Sequence, residues 1–264
     1  MPWQSAQTSV GIAFGDDDVR DGEDLLRNAD IAMYAAKRRG GGVAVYDPER
    51  DRPNLERLTL VGQLRHAVDR GELRVLYQPV VELATARVVR VEALVRWEHP
   101  ERGLIGPGEF VDVAEVSGVI RPLTRWVLAQ AAVDVRHVRD LGYELDLAAN
   151  ISVRNLYEPT FVDAVRSVLV DSGLDGHHLT LEITETQVMD DPLLAHGVLG
   201  RLGELGIRGS VDDFGTGHSS LSNLQSLPVH EIKIDRSFVQ AMGAGDEGAA
   251  AIVRSIVALG RNLG

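Results

Sequence analysis

A chain of 264 residues, 44% hydrophobic and 25% charged, holds enough apolar material for one large domain, or one domain and a piece, around a substantial core. A formal net charge of −12 without a basic patch excludes a nonspecific binder of polymeric nucleic acid, and zero cysteines exclude disulfides and thiolate metal sites, leaving oxygen and imidazole donors. No apolar run approaches the roughly 18 residues of a membrane span and MPWQSAQTSV has no signal-peptide pattern, so no membrane contact and a cytoplasmic location are expected.

Residues 1–46 read as strand, helix, strand. Thr8–Phe14 is apolar and β-rich, and Leu25, Ala29, Ala32, Met33 and Ala36 recur at helical spacing after a cap at Asp21. Gly40–Gly42 stops that helix, and Val43–Tyr46 is a short strand. Asp16–Asp18 is expected to be a solvated loop, because no partner carboxylates follow at ligand spacing. Three elements cannot close a core, so the stretch is expected to be the end of a domain. TSVGIAF, LLRNADIAMYAAKRRG and VAVYD resemble the C-terminal end of GGDEF-type diguanylate cyclase domains. The GGDEF signature itself is absent, and no cyclase activity is implied.

Asp47–Asn54, charged and proline-bearing, is expected to be a linker, followed by a connecting helix that carries Leu58, Val61, Leu64 and Val68 on one face and stops at Gly71. From Leu73 two apolar strands, LRVLYQPVVEL and RVVRVEALVRW, flank a turn at Ala84–Arg87 and predict a hairpin. Helices over Pro107–Ser117 and Pro122–Leu141 come next. Strands near Leu145–Asn150, Leu179–Ile183, Ile207–Asp212 and Glu231–Ile234 then alternate with helices near Thr160–Ser172, Pro192–Leu205, Leu221–Leu227 and Asp246–Leu263. Such alternation implies a parallel α/β sheet, doubly wound or closed as a barrel.

The strand ends carry the chemistry. Glu92 ends RVVRVE, Asn150 ends DLAAN, Glu182 lies near the end of LTLEI, Asp212 ends IRGSVD and Lys233 lies inside EIKI. Each has an innocent reading, as a cap, an ion-pair partner or an edge residue; together they describe a barrel whose active face is its C-terminal rim. At Ser210–Leu221, SVDDFGTGHSSL, the neighbours Asp212 and Asp213 would face opposite ways on an extended strand. Only a strand end that turns, as Gly215 and Gly217 permit, brings both into one volume. The plain alternative is an Asp-Asp turn capping a helix with Ser219 or Ser220.

Several carboxylates and one amide oxygen make an all-oxygen site suited to Mg²⁺ or Mn²⁺, and two such ions can bracket the attacking and leaving oxygens of a phosphodiester. Phosphoryl transfer follows as the natural reaction. Lys233 could orient or help deprotonate the water, and Arg96 offers a bidentate fork to a phosphate. An unrelated barrel enzyme using Lys233 as a Schiff base is the competing enzymatic reading.

EALVRW, NIS, LEITET, DDFGTGHSSL and KIDRSFV, in this order from about Leu73 to Gly264, resemble the successive motifs of EAL-domain cyclic-di-GMP phosphodiesterases. The resemblance implies a TIM-like (β/α) barrel over residues 72–264, after a GGDEF remnant over 1–46 and a linker and connecting helix over 47–71, as in tandem GGDEF-EAL proteins. It implies hydrolysis of cyclic di-GMP to linear pGpG with two Mg²⁺ or Mn²⁺ ions, in a homodimeric bacterial signalling protein. Glu92, Asn150, Glu182 and Asp212 would hold one ion and Asp213 a second. Lys233 would act on the nucleophilic water, and Glu185 would hold the DFGTGHSSL loop. Gln78, Leu94 and Arg96 would contact the ligand.

Two departures from the family pattern stand out. His218 replaces the usual Tyr of the loop, a change expected to be tolerated. The chain also stops after AIVRSIVALGRNLG, before the family's next strand with its AEGVE-type glutamate, so the barrel is expected to be incomplete at its C-terminal end. The fragment alone is accordingly expected to associate through open strand edges and to hydrolyse cyclic di-GMP negligibly. A cyclic-di-GMP-binding module without turnover is the alternative function.

Overall fold

The computed structural model describes residues 8–15, 22–38, 41–216 and 221–263. Its elements run β1 (Ser9–Ile12), α1 (Gly22–Arg38), β2 (Gly42–Val45), α2 (Pro48–Ala67), β3 (Leu73–Glu82), β4 (Arg87–His99), β5 (Gly103–Ile105), α3 (Pro107–Ser117) and α4 (Ile120–Asp140). They continue with β6 (Asp146–Asn150), α5 (Val153–Leu156), α6 (Phe161–Ser172), a 3₁₀ turn at Gly176–His178, β7 (Leu179–Thr184), α7 (Glu185–Asp190) and α8 (Pro192–Gly203). The last are β8 (Arg208–Phe214), α9 (Leu221–Ser226), β9 (Glu231–Ile234), α10 (Arg236–Gly243) and α11 (Glu247–Leu263).

The expected strands and helices are present with ends moved by a few residues. One reading is corrected: Pro48–Asn54, expected as linker, already belongs to α2. Pro48 takes the first helical position, where a missing N–H leaves no bond unmade. Elements β5, α5, α7 and α10 were not anticipated. The three helices are short and announced only by caps, in which Ser152, Thr184 and Asp235 accept from the backbone N–H of Arg154, Gln187 and Ser237. Asp16–Asp18, Asp21, Gly40, Gly217, His218, Ser219 and Ser220 lie outside the described residues.

The chain divides into two compact units, residues 1–73 with 97–119 and residues 74–96 with 120–264. In the first, β1 and β2 pair in parallel, from Ser9↔Gly42 to Ile12↔Val45, with α1 as the crossover. Alanines make the close packing possible, Ala32, Ala36 and Ala44 being buried together against Tyr46. At Gly11 a Cβ would lie 1.9 Å from the Ala29 carbonyl oxygen, so only glycine lets strand and helix approach this closely. Elsewhere in this unit α2 buries Leu60, Val61 and Leu64, and α3 buries Phe110 and Val113. Trp97 is fully buried edge-on against Phe110, with ring centroids 5.9 Å apart, and its indole N–H donates to Glu72 Oε2 at 3.0 Å.

The second unit is built on a sheet of order β3-β4-β6-β7-β8-β9. The connection between β3 and β4 is too short for anything but antiparallel neighbours, whereas β4, β6, β7, β8 and β9 run parallel through helical crossovers. Val211 and Phe214 of β8 pack outward with Leu224 and Ile256, which leaves Ser210 and Asp212 on the opposite face. That face is concave. Arg90 of β4 and Glu231 of β9 lie four strands apart, about 19 Å if the sheet were flat. Arg90 Nη1 nevertheless stands 2.7 Å from Glu231 Oε2, and Lys233 Nζ stands 3.2 Å from Glu92 Oε2. The sheet is therefore curled until side chains from β4 and β9 meet across it.

Candidate active site

Parallel strands all end on one side, and here five of them deliver one polar group each to the same place. Asn150 sits directly beside Glu182 in the β6–β7 register, and Thr184 beside Asp212 in the β7–β8 register. Lys233 Nζ donates to Glu182 Oε2 at 2.5 Å, Asp212 Oδ2 at 3.0 Å and Glu92 Oε2 at 3.2 Å. Asn150 Nδ2 donates to Glu92 Oε1 at 2.8 Å. Oxygens of Glu92, Glu182 and Asp212 lie within 4.8 Å of one another, a spacing one cation can span.

The electrostatics of this cluster are set by burial. The Glu182 side chain is only 2% exposed, and burial raises its pKa from 4.5 to about 7 in spite of Lys233 beside it. Burial alone would lower the Lys233 pKa, but Glu182, Asp212 and Glu92 outweigh it and hold the amine well above its ordinary value. Lys233 is thus an ammonium donor. It has no lone pair to form a Schiff base or to accept a proton, which removes the support for an aldolase-like reading. With three carboxylate oxygens, a neighbouring amide and no soft donor, the residues fit a hard divalent ion, and the Lys233 ammonium marks where positive charge is held.

The adjacent carboxylates Asp212 and Asp213 are reconciled by an irregularity of the strand. The β8–β9 register shifts between Val211 and Phe214, and Asp213 takes a φ of 54°. A bulge with a left-handed residue re-aims a side chain that simple alternation would send to the other face. The Asp213 N–H donates to Asp212 Oδ1 at 2.9 Å. Burial, the charge of Asp212 and the neighbouring carboxyl of Asp235 together raise the Asp213 pKa. Hydrogen bonds from Ser237 lower the Asp235 pKa, so the two neighbouring carboxyls are shifted in opposite directions. Asp235 was missed in the sequence; its signal was its place two residues after Lys233, where the strand gives way to α10.

Glu185, 2% exposed, accepts from the backbone N–H of Gly215 at 2.7 Å and so ties the start of α7 to the end of β8. Gly215 has φ 101°, and a Cβ there would meet Phe238 at 3.0 Å, so the position needs glycine for both reasons. Leu94 and Arg96 follow Glu92 on the same face of β4, while Gln78 is exposed on β3. Arg96 Nη1 donates to the Val95 carbonyl at 2.9 Å. The described hydrogen bonds join none of these three to the carboxylate–lysine cluster.

Fold and site define a parallel α/β protein with an oxygen-donor cation cluster and a lysine at its strand ends. The family model for the EAL domain matches residues 61–264, and the chain belongs to that family. Over 257 residues it is 41% identical to the bifunctional diguanylate cyclase/cyclic di-GMP phosphodiesterase MucR of Pseudomonas aeruginosa, covering 97% of this chain and 37% of that protein. It is 39% identical to the cyclic di-GMP phosphodiesterase PdeR of Escherichia coli over 256 residues, covering 97% of this chain and 38% of PdeR. Among solved structures, a Pseudomonas aeruginosa MucR phosphodiesterase–c-di-GMP complex matches with TM-score 0.74 and 43% identity, covering 78% of this chain and 83% of the other. The chain spans about a third of the length of the curated relatives it matches. No described helix is long and apolar enough to cross a membrane.

Proposed function

We propose that this chain carries a cyclic-di-GMP phosphodiesterase that opens one phosphodiester to give linear pGpG. The observation that carries the reading is the convergence of Glu92, Asn150, Glu182, Asp212 and Lys233 in a family whose named relatives hydrolyse cyclic di-GMP. A water oxygen bonds to phosphorus, the P–O bond to one ribose breaks, and the water proton ends on the departing ribose oxygen. Glu92, Asn150, Glu182 and Asp212 would hold one Mg²⁺ or Mn²⁺, and Asp213 a second beside Asp235. Bound there, the ions supply Lewis-acid stabilisation of charge on the phosphodiester oxygens.

The chain's own groups do the rest. Lys233, held charged, turns its N–H donors toward the water and the phosphate once its carboxylate partners are engaged elsewhere. Glu185 keeps the end of β8 in place through Gly215. Arg96 grips a phosphate with two parallel N–H bonds, while Gln78 and Leu94 face the nucleotide. The convergence of Glu92, Glu182 and Asp212 on Lys233 supports turnover over ligand binding alone, since binding a dinucleotide does not call for three converging carboxylates that repel its phosphates.

We also read residues 1–46 as the end of a GGDEF-type domain, 47–71 as the connection and 72–264 as the EAL domain, in a cytoplasmic homodimer. The parallel β1–α1–β2 unit supports this, as does an alignment with bifunctional MucR that takes in 97% of the chain, well beyond the EAL match. The curl that brings β4 and β9 together supports a (β/α) barrel.

Asp212→Ala is expected to abolish Mn²⁺ binding in titration calorimetry and pGpG formation in the same protein, with the fold retained because Asp212 stands at a strand end. Equal Mn²⁺ affinity in parent and variant would remove Asp212 from the site. Arg96→Ala is expected to cost about 1.5–3 kcal/mol of cyclic-di-GMP affinity, or roughly ten- to a hundredfold. Parental affinity in that variant would show that Arg96 touches no phosphate.

A further inference from the structure

Two residues back from the acidic cluster, on each of two strands, stands one half of a charged pair that neither the family motifs nor the reaction above uses. Arg90 precedes Glu92 by two on β4 and Glu231 precedes Lys233 by two on β9, so all four project from the same concave face. Arg90 Nη1 donates to both Glu231 oxygens, at 2.9 and 2.7 Å, and Ser210 Oγ lies 3.4 Å from one of them. The pair is largely inside, the Arg90 side chain being 12% exposed and Glu231 30%.

Its geometry is not that of a bond made for strength. Arginine holds a carboxylate best through two nitrogens in parallel, yet here a single nitrogen serves both oxygens, and Arg90 Nε is buried without a partner among the described residues. Buried ion pairs return little net stability, and their better-attested use is to fix an arrangement. Glu231 and Lys233 lie about 7 Å apart along the same strand face. An unneutralised Glu231 would therefore offer the Lys233 ammonium a fourth carboxylate, pointing away from the site.

We propose that Arg90 is a positioning residue: by occupying Glu231 it withholds that carboxylate from Lys233 and leaves the ammonium to Glu92, Glu182 and Asp212. This rests on the phosphodiesterase reading for its rate measurement, made on the full-length protein, and on geometry for its spectroscopic one. Removing Arg90 lets Lys233 swing back along β9 and lose its place at the water, whereas removing Arg90 and the Glu231 charge together leaves Lys233 where it was.

The chain makes this testable because Lys37 and Lys233 are its two lysines, and Lys37 is exposed. In ¹⁵N-lysine ammonium spectra of the whole ion-free chain, the hydrogen-bonded Lys233 signal separates from a fast-exchanging Lys37. Arg90→Met is expected to move or broaden the Lys233 signal and to lower kcat for cyclic di-GMP at least tenfold. KM should change less than about threefold and Mn²⁺ affinity should not fall, a combination that general loosening of the fold would not give. The double variant Arg90→Met/Glu231→Gln is expected to restore the signal and to return kcat to within threefold of the parent. An unmoved signal with parental kcat in Arg90→Met, or a double variant as slow as the single one, overturns the assignment. Should Arg90→Met not fold, the double variant decides: parental signal and rate uphold the role, and a tenfold loss overturns it. A full-length protein that binds Mn²⁺ but leaves cyclic di-GMP intact overturns the phosphodiesterase reading alone, because the ammonium spectra of the 264-residue chain still report on Arg90.

Discussion

Lys233→Met is expected to lower kcat for cyclic di-GMP by roughly 10²–10⁴-fold, the range for losing a positioned proton-transferring or hydrogen-bonding group, while Mn²⁺ binding grows tighter. The two effects share one cause. The ammonium donates to Glu182, Asp212 and Glu92, so in the ion-free chain it neutralises the oxygens that a divalent cation needs. Methionine keeps an unbranched apolar stem of similar length but brings no charge, leaving the carboxylates unshielded for the incoming ion. In the proposed reaction the same change removes the ammonium that would donate to the water and the phosphate. Calorimetric titration with Mn²⁺ and a pGpG time course, both at pH 8, measure the opposed shifts. A variant with weaker Mn²⁺ binding and a near-parental rate would show that Lys233 is structural support for the cluster and takes no part in the reaction.

That cluster was legible in the sequence for a specific reason. In β7 Glu182 stands out as the one charged residue of the strand, in β8 Asp212 follows Val211 near the strand's end, and strand–helix alternation forces parallel strands whose ends coincide. Asn150, Glu92 and Lys233 were placed by the same reasoning. What could not be read depended on how far the sheet bends. Arg90 and Glu231 are 141 residues apart, and nothing in either segment says that β4 and β9 will face each other. The Asp212–Asp213 arrangement was half legible: two neighbouring carboxylates demanded a break in alternation, but the left-handed backbone at Asp213 is a departure from local preference that only the surrounding sheet enforces. Pro48–Asn54 misled in the opposite sense. Its charges and prolines look like linker, yet a proline in the first turn is compatible with a helix, and α2 is held by Leu60 and Leu64 further along.

Glu182→Gln is expected to make the ion-free chain more stable and the Mn²⁺-loaded chain less so. Burial raises the folded-state pKa of Glu182 from 4.5 to about 7, so the folded protein binds this proton more tightly than the unfolded chain does. The associated stability is fully present below pH 4.5, declines as pH rises, and is gone above about pH 7, where the carboxylate must be ionised in the interior. Each pKa unit is about 1.4 kcal/mol, so the parent should lose roughly 3 kcal/mol relative to the variant across that window. The glutamine amide is neutral throughout, occupies the same volume, and still offers Lys233 an oxygen, while Glu92 and Asp212 keep the ammonium charged. Denaturant melts at pH 4.5 and 8 should therefore give similar stabilities at the acid end and a more stable variant at the alkaline end. Saturating Mn²⁺ at pH 8 should reverse the order, because the ion stabilises whichever folded chain binds it better and the variant has lost a charged ligand. If the two proteins keep the same stability difference at both pH values and with or without Mn²⁺, Glu182 is neither raised in pKa nor a ligand.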